Sequence, residues 1–172
     1  MKETKNEVLN LVQIALYAAI FIVLDFISNL IPFLKMPNGG SIGISVIVLL
    51  LASYRLGYKG GLTVIGIALL LMPMTGGVFF QNPIDYIYEY IFAFGVYGLA
   101  VLIPTFKISS LSIHTGIYVA NFLRFLIHLS AGVWFWGLNW SGSFVYNAPY
   151  MLATTIVSAL ITPILLNRLR KN

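Results

Sequence analysis

Residues 83–104, PIDYIYEYIFAFGVYGLAVLIP, are apolar or aromatic apart from two acids, Asp85 and Glu89. About 20 such residues are enough for a helix to cross a lipid bilayer. A charged side chain near the centre of that helix costs about 2.5 kcal/mol or more, so a carboxylate there indicates a functional site. Glu89 lies deeper in the stretch than Asp85. We therefore predict a membrane protein that uses Glu89 to bind a small polar ligand.

The composition of the whole chain is typical of a membrane protein. Hydrophobic residues make up 59% of the 172 residues, charged residues make up 9%, and the mean hydropathy is +0.92. Soluble domains carry about 25% charged residues. The length suits one membrane domain over residues 1–172 without a separate soluble domain. The absence of cysteine excludes disulfides and thiolate chemistry. The first apolar run, residues 8–31, is too long for the core of a signal peptide.

Breaks at proline, glycine and charged residues divide the chain into six predicted membrane helices, and hence predict an all-α, polytopic integral membrane protein. The predicted spans cover residues 8–31, 41–56, 60–79, 83–105, 109–137 and 146–167.

Basic residues predict how these spans are oriented. Eight of the ten fall on one side of the predicted membrane: Lys2, Lys5, Arg55, Lys59, Lys107, Arg168, Arg170 and Lys171. By the positive-inside rule that side is cytoplasmic, so both termini are predicted inside a bacterial plasma membrane. The predicted outer connections carry only Lys35.

Several function classes lack support in the sequence. The pI is about 9.5, but the basic residues are dispersed, so we expect no nucleic-acid partner. There is no Walker-type phosphate loop. His114 and His128 are fourteen positions apart in no metal-binding motif, and no serine belongs to a hydrolase motif. We therefore predict no enzyme: no catalytic residue, no metal and no cofactor.

Two further residues are spaced to meet Glu89. Arg124 and His128 are four residues apart, so both can face the span that carries Glu89. A Glu89–Arg124 ion pair would either serve structure alone, by neutralising two costly charges, or belong to a binding site. His128 taken alone is typical of a hydrogen-bonded structural histidine. Asp85 is either part of the same polar wall or a solvated residue in the first helical turn, where it complements the helix dipole.

Aromatic and amide side chains follow at the outer ends of the last two spans. Trp134, Trp136 and Trp140 lie where aromatic belts occur irrespective of function. Trp136 comes eight residues after His128, close to the same helix face, and offers a flat electron-rich wall to a cationic ligand. Asn147 offers a donor and an acceptor suited to the edge of a heterocycle, with a helix N-cap role as its alternative.

The first predicted span contains one acid, Asp25, whose role the sequence leaves open. Ala15 and Ala19, with Ala18 beside them, form a small-xxx-small surface that allows another helix to approach closely. This surface serves either packing within the protein or the docking of a partner subunit.

Four motifs follow one another along the chain: PNGGS (37–41), NPIDYIYEYIFAF (82–94), RFLIHLSAGVWFWG (124–137) and VYNAPYM (145–151). Together they resemble the thiamin-specific substrate-binding (S) components of energy-coupling factor (ECF) transporters, the ThiT/YuaJ family. The resemblance implies a six-helix subunit in the lipid bilayer that captures thiamin from outside with high affinity. It also implies two kinds of partner: a transmembrane coupling protein, and two cytoplasmic ATPases that supply the energy.

The resemblance also implies roles for particular residues. Thiamin, as ligand rather than cofactor, would be bound by Glu89, Tyr90, His128, Trp136 and Asn147, and Arg124 falls where the family carries a basic residue near the site. Ala15 and Ala19 match the alanine motif that contacts the coupling protein. Thiamin joins a cationic thiazolium to an aminopyrimidine, so a carboxylate and aromatic rings fit its chemistry.

The chain departs from the family pattern in its outer loops. The connection 138–144 is shorter than usual, and Gly142 stands where the family carries a tyrosine. Trp140 and Tyr146 are candidate replacements, and Gly39 is a further candidate contact. Two alternatives therefore stay open: an S component for another vitamin, and a self-sufficient secondary transporter whose intramembrane acids relay ions. The second lacks the clear internal repeat that such transporters usually show.

Overall fold

A computed structural model of the chain describes residues 2–36, 39–75, 77–108 and 111–170. Pro37 and Asn38 of the PNGGS motif, and Lys171 of the predicted cytoplasmic side, lie outside these residues. The described part is mostly helical, and five of its helical stretches are long and apolar enough to cross a membrane: Asn6–Leu30, Val46–Met74, Pro83–Leu102, Thr115–Trp134 and Trp140–Leu169. This architecture agrees with the prediction of a helical membrane protein.

The stretches are built from six α-helices and shorter turns. The α-helices are α1 (Lys2–Leu30), α2 (Val46–Leu71), α3 (Pro83–Tyr86), α4 (Ala93–Gly98), α5 (Thr115–Trp134) and α6 (Trp140–Arg170). A π-helical turn, Ile87–Phe92, joins α3 to α4 within the Pro83–Leu102 segment. Three short 3₁₀ turns occupy Pro32–Leu34, Met72–Thr75 and Ala100–Leu102.

Helix α2 contains a reversal of the chain at Gly57, whose backbone has φ 75° and ψ 174°. That conformation is essentially restricted to glycine. The position that a Cβ of Gly61 would take lies 2.9 Å from the Cα of Ser53, whereas residues eight apart in a straight α-helix are separated by about 12 Å. The two halves of α2 therefore lie side by side, and they correspond to the separate predicted spans 41–56 and 60–79.

The prediction of helix from residue 109 onwards is wrong at its start. Thr105–Ile108 and Leu111–His114 form an antiparallel hairpin, β1 and β2, in which Thr105 pairs with His114. The hairpin is an exception to the predicted all-α class. Ser109 and Ser110 lie outside the described residues. The alternation of polar and apolar residues in β2 is too short for hydropathy to separate a strand from a helix end.

Helix α6 begins earlier than predicted, so the connection placed at residues 138–144 is mostly helical. Asn139 caps this helix, because its Oδ1 accepts a hydrogen bond of 2.7 Å from the Gly142 amide. Asn147 lies well inside the helix, and its alternative role as an N-cap is therefore wrong.

The apolar core lies where α1, α2, α4 and α5 meet. Its most buried large residues include Phe21, Leu49, Leu50, Val64, Tyr97 and Ile117. Large apolar side chains also cover the outer faces of α1 and α6, where Leu11 is 65% and Leu160 is 63% exposed. Apolar outer faces of this kind are suited to contact with lipid. Buried polar side chains, among them Asp25, Asp85 and Arg124, lie inside the bundle.

Candidate functional site

A cavity opens between the helices at the end of the bundle where residues 31–45 connect α1 to α2 and residues 135–139 connect α5 to α6. The cavity volume that is open to the centre of a water molecule is about 160 Å³. The structure brings eight of the predicted site residues to its wall: Gly39, Glu89, Tyr90, Arg124, His128, Trp136, Tyr146 and Asn147.

Glu89 lies in the π-helical turn, with a side chain that is 14% exposed. Its Oε2 accepts a hydrogen bond of 3.1 Å from the Trp136 indole nitrogen. Its Oε1 lies 3.2 Å from Nδ1 of His128. Single π-helical turns are rare and occur frequently at functional sites. The carboxylate is thus held between two nitrogen groups and faces the cavity.

Arg124 does not pair with Glu89 directly. Its Nε donates a hydrogen bond of 3.1 Å to Nε2 of His128, and its Nη1 donates one of 3.3 Å to the Tyr97 hydroxyl. The guanidinium carbon lies 4.3 Å from the centre of the Phe94 ring, a distance at which a cation is attracted by the face of the ring. The direct ion pair considered from the sequence is therefore replaced by a relay through His128.

Asn147 and Tyr150 form the wall contributed by α6. The Asn147 amide donates to the carbonyl oxygen of Ser143 at 2.8 Å, and its Oδ1 accepts from the Tyr150 hydroxyl. Tyr150 was missed in the sequence, although it comes three residues after Asn147 and therefore shares its helix face. Both side chains are buried. The amide is held in one orientation by protein groups.

Tyr146 and Tyr90 attach loop residues to the cavity wall. The Tyr146 hydroxyl donates a hydrogen bond of 2.8 Å to the carbonyl oxygen of Gly39. The Tyr90 hydroxyl accepts from the Phe79 amide at 2.8 Å and donates to the Phe79 carbonyl at 3.1 Å. Gly39 has a φ of 94°, a conformation that L-residues rarely adopt. The connections that border the cavity are thereby fixed to its helices.

Two predicted residues lie elsewhere. Asp85 is fully buried outside the cavity wall, and its Oδ2 accepts a hydrogen bond of 2.8 Å from the Gln81 amide. Asp85 therefore lies in the first turn of α3 as predicted, but it is not solvated. Its carboxyl interacts with that of Glu89 without lining the cavity. Trp140 is 55% exposed at the start of α6 and does not line the cavity.

Asp25, whose role the sequence left open, lines the cavity from α1. It is buried, and its Oδ2 accepts a hydrogen bond of 3.2 Å from the Asn29 side chain. The cavity thus carries two carboxyl groups, Asp25 and Glu89, and one guanidinium, Arg124.

The alanine surface of α1 faces outwards. Ala15 and Ala19 are exposed, whereas Ala18 is 2% exposed and belongs to the core. The interpretation of the Ala15–Ala19 pair as packing within the protein is therefore wrong, and the pair is open to contact from outside.

The second histidine, His114, lies apart from the cavity in β2, with its ring 4.8 Å from that of Tyr54. Partial burial lowers the pKa of the His114 imidazole below its ordinary value, so this histidine is neutral at pH 7. Within the described ranges, no group of three or more His, Asp or Glu side chains is arranged to hold a metal ion.

The chemistry of the cavity suits a small organic cation with aromatic rings. A carboxylate that accepts hydrogen bonds from two nitrogen groups can attract a positive charge. Trp136, Tyr146 and Tyr150 line the same cavity, and the faces of aromatic rings attract cations and stack on flat ligands.

Comparison with known proteins identifies the family to which this protein belongs. The sequence model of the family described as Thiamine transporter protein (Thia_YuaJ) matches residues 11–172. The chain belongs to this thiamine transporter family. The resemblance derived from the four motifs is thereby confirmed, and the protein is a membrane transport protein.

Individual relatives of the thiamine transporter family match along nearly the whole chain. Thiamine transporter ThiT of Bacillus subtilis (strain 168) is 30% identical over 178 aligned residues, which cover 94% of this chain and 91% of that protein. The solved structure of ThiT from Listeria monocytogenes superimposes with a TM-score of 0.71 over 96% of this chain and 97% of that one. At 22% identity, this second match supports the fold alone.

Proposed function

We propose that this chain is the high-affinity thiamin-binding membrane subunit of an ECF-type vitamin transporter. It captures thiamin from outside and delivers it through a transmembrane coupling protein and two cytoplasmic ATPases. Membership of the thiamine transporter family supports the substrate. The single observation that carries the proposal is the Glu89 carboxylate, held in the cavity by Trp136 at 3.1 Å and His128 at 3.2 Å.

The recognition of thiamin follows from this arrangement. Glu89 offsets the positive charge of the thiazolium and accepts from the amino group of the pyrimidine. Trp136 and Tyr146 flank the rings, while Asn147 and His128 fix their orientation. Tyr90 and Arg124 complete the polar wall. In this mechanism the protein binds thiamin without changing it.

The topology that we propose has six crossings of a bacterial plasma membrane and both termini in the cytoplasm. The reversal at Gly57 supports two crossings within Val46–Met74. Arg55, next to that reversal, donates a hydrogen bond of 3.1 Å to the carbonyl oxygen of Leu169 near the end of α6. The reversal and the C-terminal end of α6 thus share one face of the bundle, and the basic residues there favour the cytoplasmic side. The cavity then opens to the outside.

Docking on the coupling protein would use the exposed alanine pair of α1. Ala15 and Ala19 are small, exposed side chains of α1. A helix of another subunit can therefore approach the backbone of α1 closely at these two positions. This surface is on the outside of the bundle, where a second membrane protein can reach it.

The proposal is tested by titrating thiamin into the detergent-purified protein and following tryptophan fluorescence. Thiamin monophosphate, pyridoxine and riboflavin serve as comparison ligands. Tight, saturable quenching by thiamin supports the proposal, because Trp136 lies at the cavity wall. Saturable quenching by another vitamin alone would replace the substrate and keep the capture function.

A second experiment separates capture from independent transport. The protein is reconstituted alone in liposomes, and uptake of radiolabelled thiamin is followed under an imposed ion gradient. We expect binding without uptake, since the coupling protein and the ATPases are absent. Gradient-driven uptake by the protein alone would contradict the proposal and favour a secondary transporter.

A further inference from the structure

A chain of hydrogen bonds runs beneath the cavity through side chains that the sequence did not single out. The Tyr97 hydroxyl donates to Oδ1 of Asn121 at 2.9 Å and accepts from Arg124 at 3.3 Å. Nδ2 of Asn121 donates to the carbonyl oxygen of Ile117 at 2.8 Å and to the Ser158 hydroxyl at 3.1 Å. Tyr97 and Ser158 are 0% exposed and Asn121 is 1% exposed. The chain connects α4, α5 and α6 to the Glu89 site.

The direction of every hydrogen bond in this chain is determined by the groups involved. A guanidinium only donates, so Nε2 of His128 must accept from Arg124 through its lone pair. A neutral imidazole carries one N–H, which is then on Nδ1, facing Oε1 of Glu89 at 3.2 Å.

The same reasoning fixes the lower part of the chain. The single hydroxyl hydrogen of Tyr97 goes to Asn121, which leaves an oxygen lone pair for Arg124. The Asn121 amide cannot be turned round without facing its carbonyl oxygen towards the carbonyl of Ile117. Asn121 therefore orients Tyr97, and Tyr97 orients Arg124.

We propose that Tyr97 and Asn121 are positioning residues for ligand binding: they hold Arg124 against His128, which keeps His128 neutral with its proton on Nδ1. His128 is buried, which disfavours its charged form, and protonation of Nε2 would in addition place an imidazolium in contact with a guanidinium. A charged His128 would pair with Glu89 and compete with a cationic ligand for that carboxylate. These hydrogen bonds thus leave the negative charge of Glu89 available to the ligand. The identity of that ligand as thiamin rests on the proposed function.

The remaining groups around His128 do not replace Arg124 in this role. The ionisable side chains that share its cavity are Asp25 on α1, Glu89 and Tyr90 on the Pro83–Leu102 segment, Arg124 on α5, and Tyr146 and Tyr150 on α6. Helix α2 and the loop before it contribute Ser45 and Val46, which do not titrate. Arg124 is the cation among these groups, and it contacts the imidazole directly.

The tautomer is measured first, in the ligand-free protein. A His114→Gln parent leaves His128 as the single histidine, so ¹⁵N-histidine labelling and long-range ¹H–¹⁵N spectra report on it alone. We expect a proton on Nδ1 and none on Nε2 between about pH 5.5 and about pH 7.5. In Tyr97→Phe, which removes one oxygen and keeps the ring, we expect His128 to take up a second proton over the same range.

The control is Tyr86→Phe, which removes a phenol oxygen from the same membrane segment. The Tyr86 hydroxyl donates a hydrogen bond of 2.8 Å to the carbonyl oxygen of Leu69 and takes no part in the chain. Its spectra should match those of the parent. Asn121→Leu is a second variant in the chain and should behave as Tyr97→Phe does, because Tyr97 then loses its acceptor.

Thiamin binding is then measured on the same proteins at both pH values. The ratio of variant to parent Kd cancels the protonation of thiamin itself. For Tyr97→Phe this ratio should rise from about pH 7.5 to about pH 5.5. The upper limit is about tenfold, the change for a histidine that titrates near its ordinary pKa and binds ligand only when neutral, because His128 stays buried in the variant. For Tyr86→Phe the ratio should stay constant.

The outcomes separate this proposal from the proposed function. A proton on Nε2 in the parent would overturn it, as would variants Tyr97→Phe and Asn121→Leu that both keep the tautomer and pH profile of the parent. If the parent shows the expected tautomer and its loss in both variants but does not bind thiamin, the positioning role is supported and the assigned substrate fails.

Discussion

Replacing Glu89 by glutamine tests the central contact of the site with almost no change of shape. The carboxylate accepts from Trp136 at 3.1 Å and faces Nδ1 of His128 at 3.2 Å. In Glu89→Gln the negative charge is lost, and the new amide NH₂ faces one of these two nitrogen donors. Opposite unit charges about 4 Å apart attract by about 4 kcal/mol at an effective dielectric constant of about 20. Removing one partner of a buried charge pair costs about 2 to 5 kcal/mol.

We therefore expect Glu89→Gln to weaken thiamin binding by about 3 kcal/mol, which is roughly a hundredfold increase in Kd. Isothermal titration calorimetry on the purified protein measures it directly. Asp85→Asn is the comparison variant, because it makes the same chemical change four residues away at a side chain that interacts with Glu89 but does not line the cavity, and we expect a smaller loss from it. A thermal melt of both variants verifies folding. Equal losses in the two variants, or full affinity in Glu89→Gln, would refute the assignment of Glu89.

Three further substitutions test other parts of the molecule. Trp136→Phe removes the indole N–H and should cost about 2 kcal/mol of thiamin binding, roughly a thirtyfold rise in Kd, whereas Trp134→Phe, at a side chain that is 61% exposed, should bind as the parent does; equal Kd values in both would contradict the contact. Gly57→Ala should lower the thermal midpoint by straining a positive-φ backbone at a cost of about 1 to 3 kcal/mol. The matched Gly66→Ala, at a helical position with open space around its Cβ, should not, and a stable Gly57→Ala would argue against the reversal. Ala19→Trp should keep thiamin binding and abolish co-purification with the coupling protein, while Leu160→Trp on the exposed face of α6 should keep both; retained co-purification in Ala19→Trp would exclude that docking surface.

The position of the site followed from spacing and from the cost of burying charge. The contact between Glu89 and His128 could be predicted because a carboxylate in a membrane helix requires a polar partner, and the other apolar stretches contain few polar residues. Trp136 also reaches Glu89, although it was predicted to lie within a helix that extends to residue 137, and α5 ends at Trp134. The residue reaches the same side of the bundle from beyond the helix end.

What the sequence could not provide were the contacts that depend on where helices pack. In the sequence, Tyr97 and Asn121 look like core residues. Only the distance of 2.9 Å between the Tyr97 hydroxyl and Oδ1 of Asn121 indicates that they position Arg124. Asn121 precedes Arg124 by three residues, a spacing that places both on one helix face and could have drawn attention to it. The pairing of β1 with β2 was not predicted because short apolar segments of strand and helix have similar hydropathy.

The π-helical turn at Ile87–Phe92 makes the protein sensitive to the deletion of a single residue. Such a turn contains one residue more than an α-helical turn, and each residue rotates a helix by about 100°. Deleting any single residue within it would leave a membrane helix of nearly unchanged length and hydropathy, with its two halves turned relative to each other. Glu89 and Phe94, which line the cavity from the turn and from α4, would then no longer face it together. We expect a protein with that one-codon deletion to insert normally into the membrane and to fail to bind its ligand.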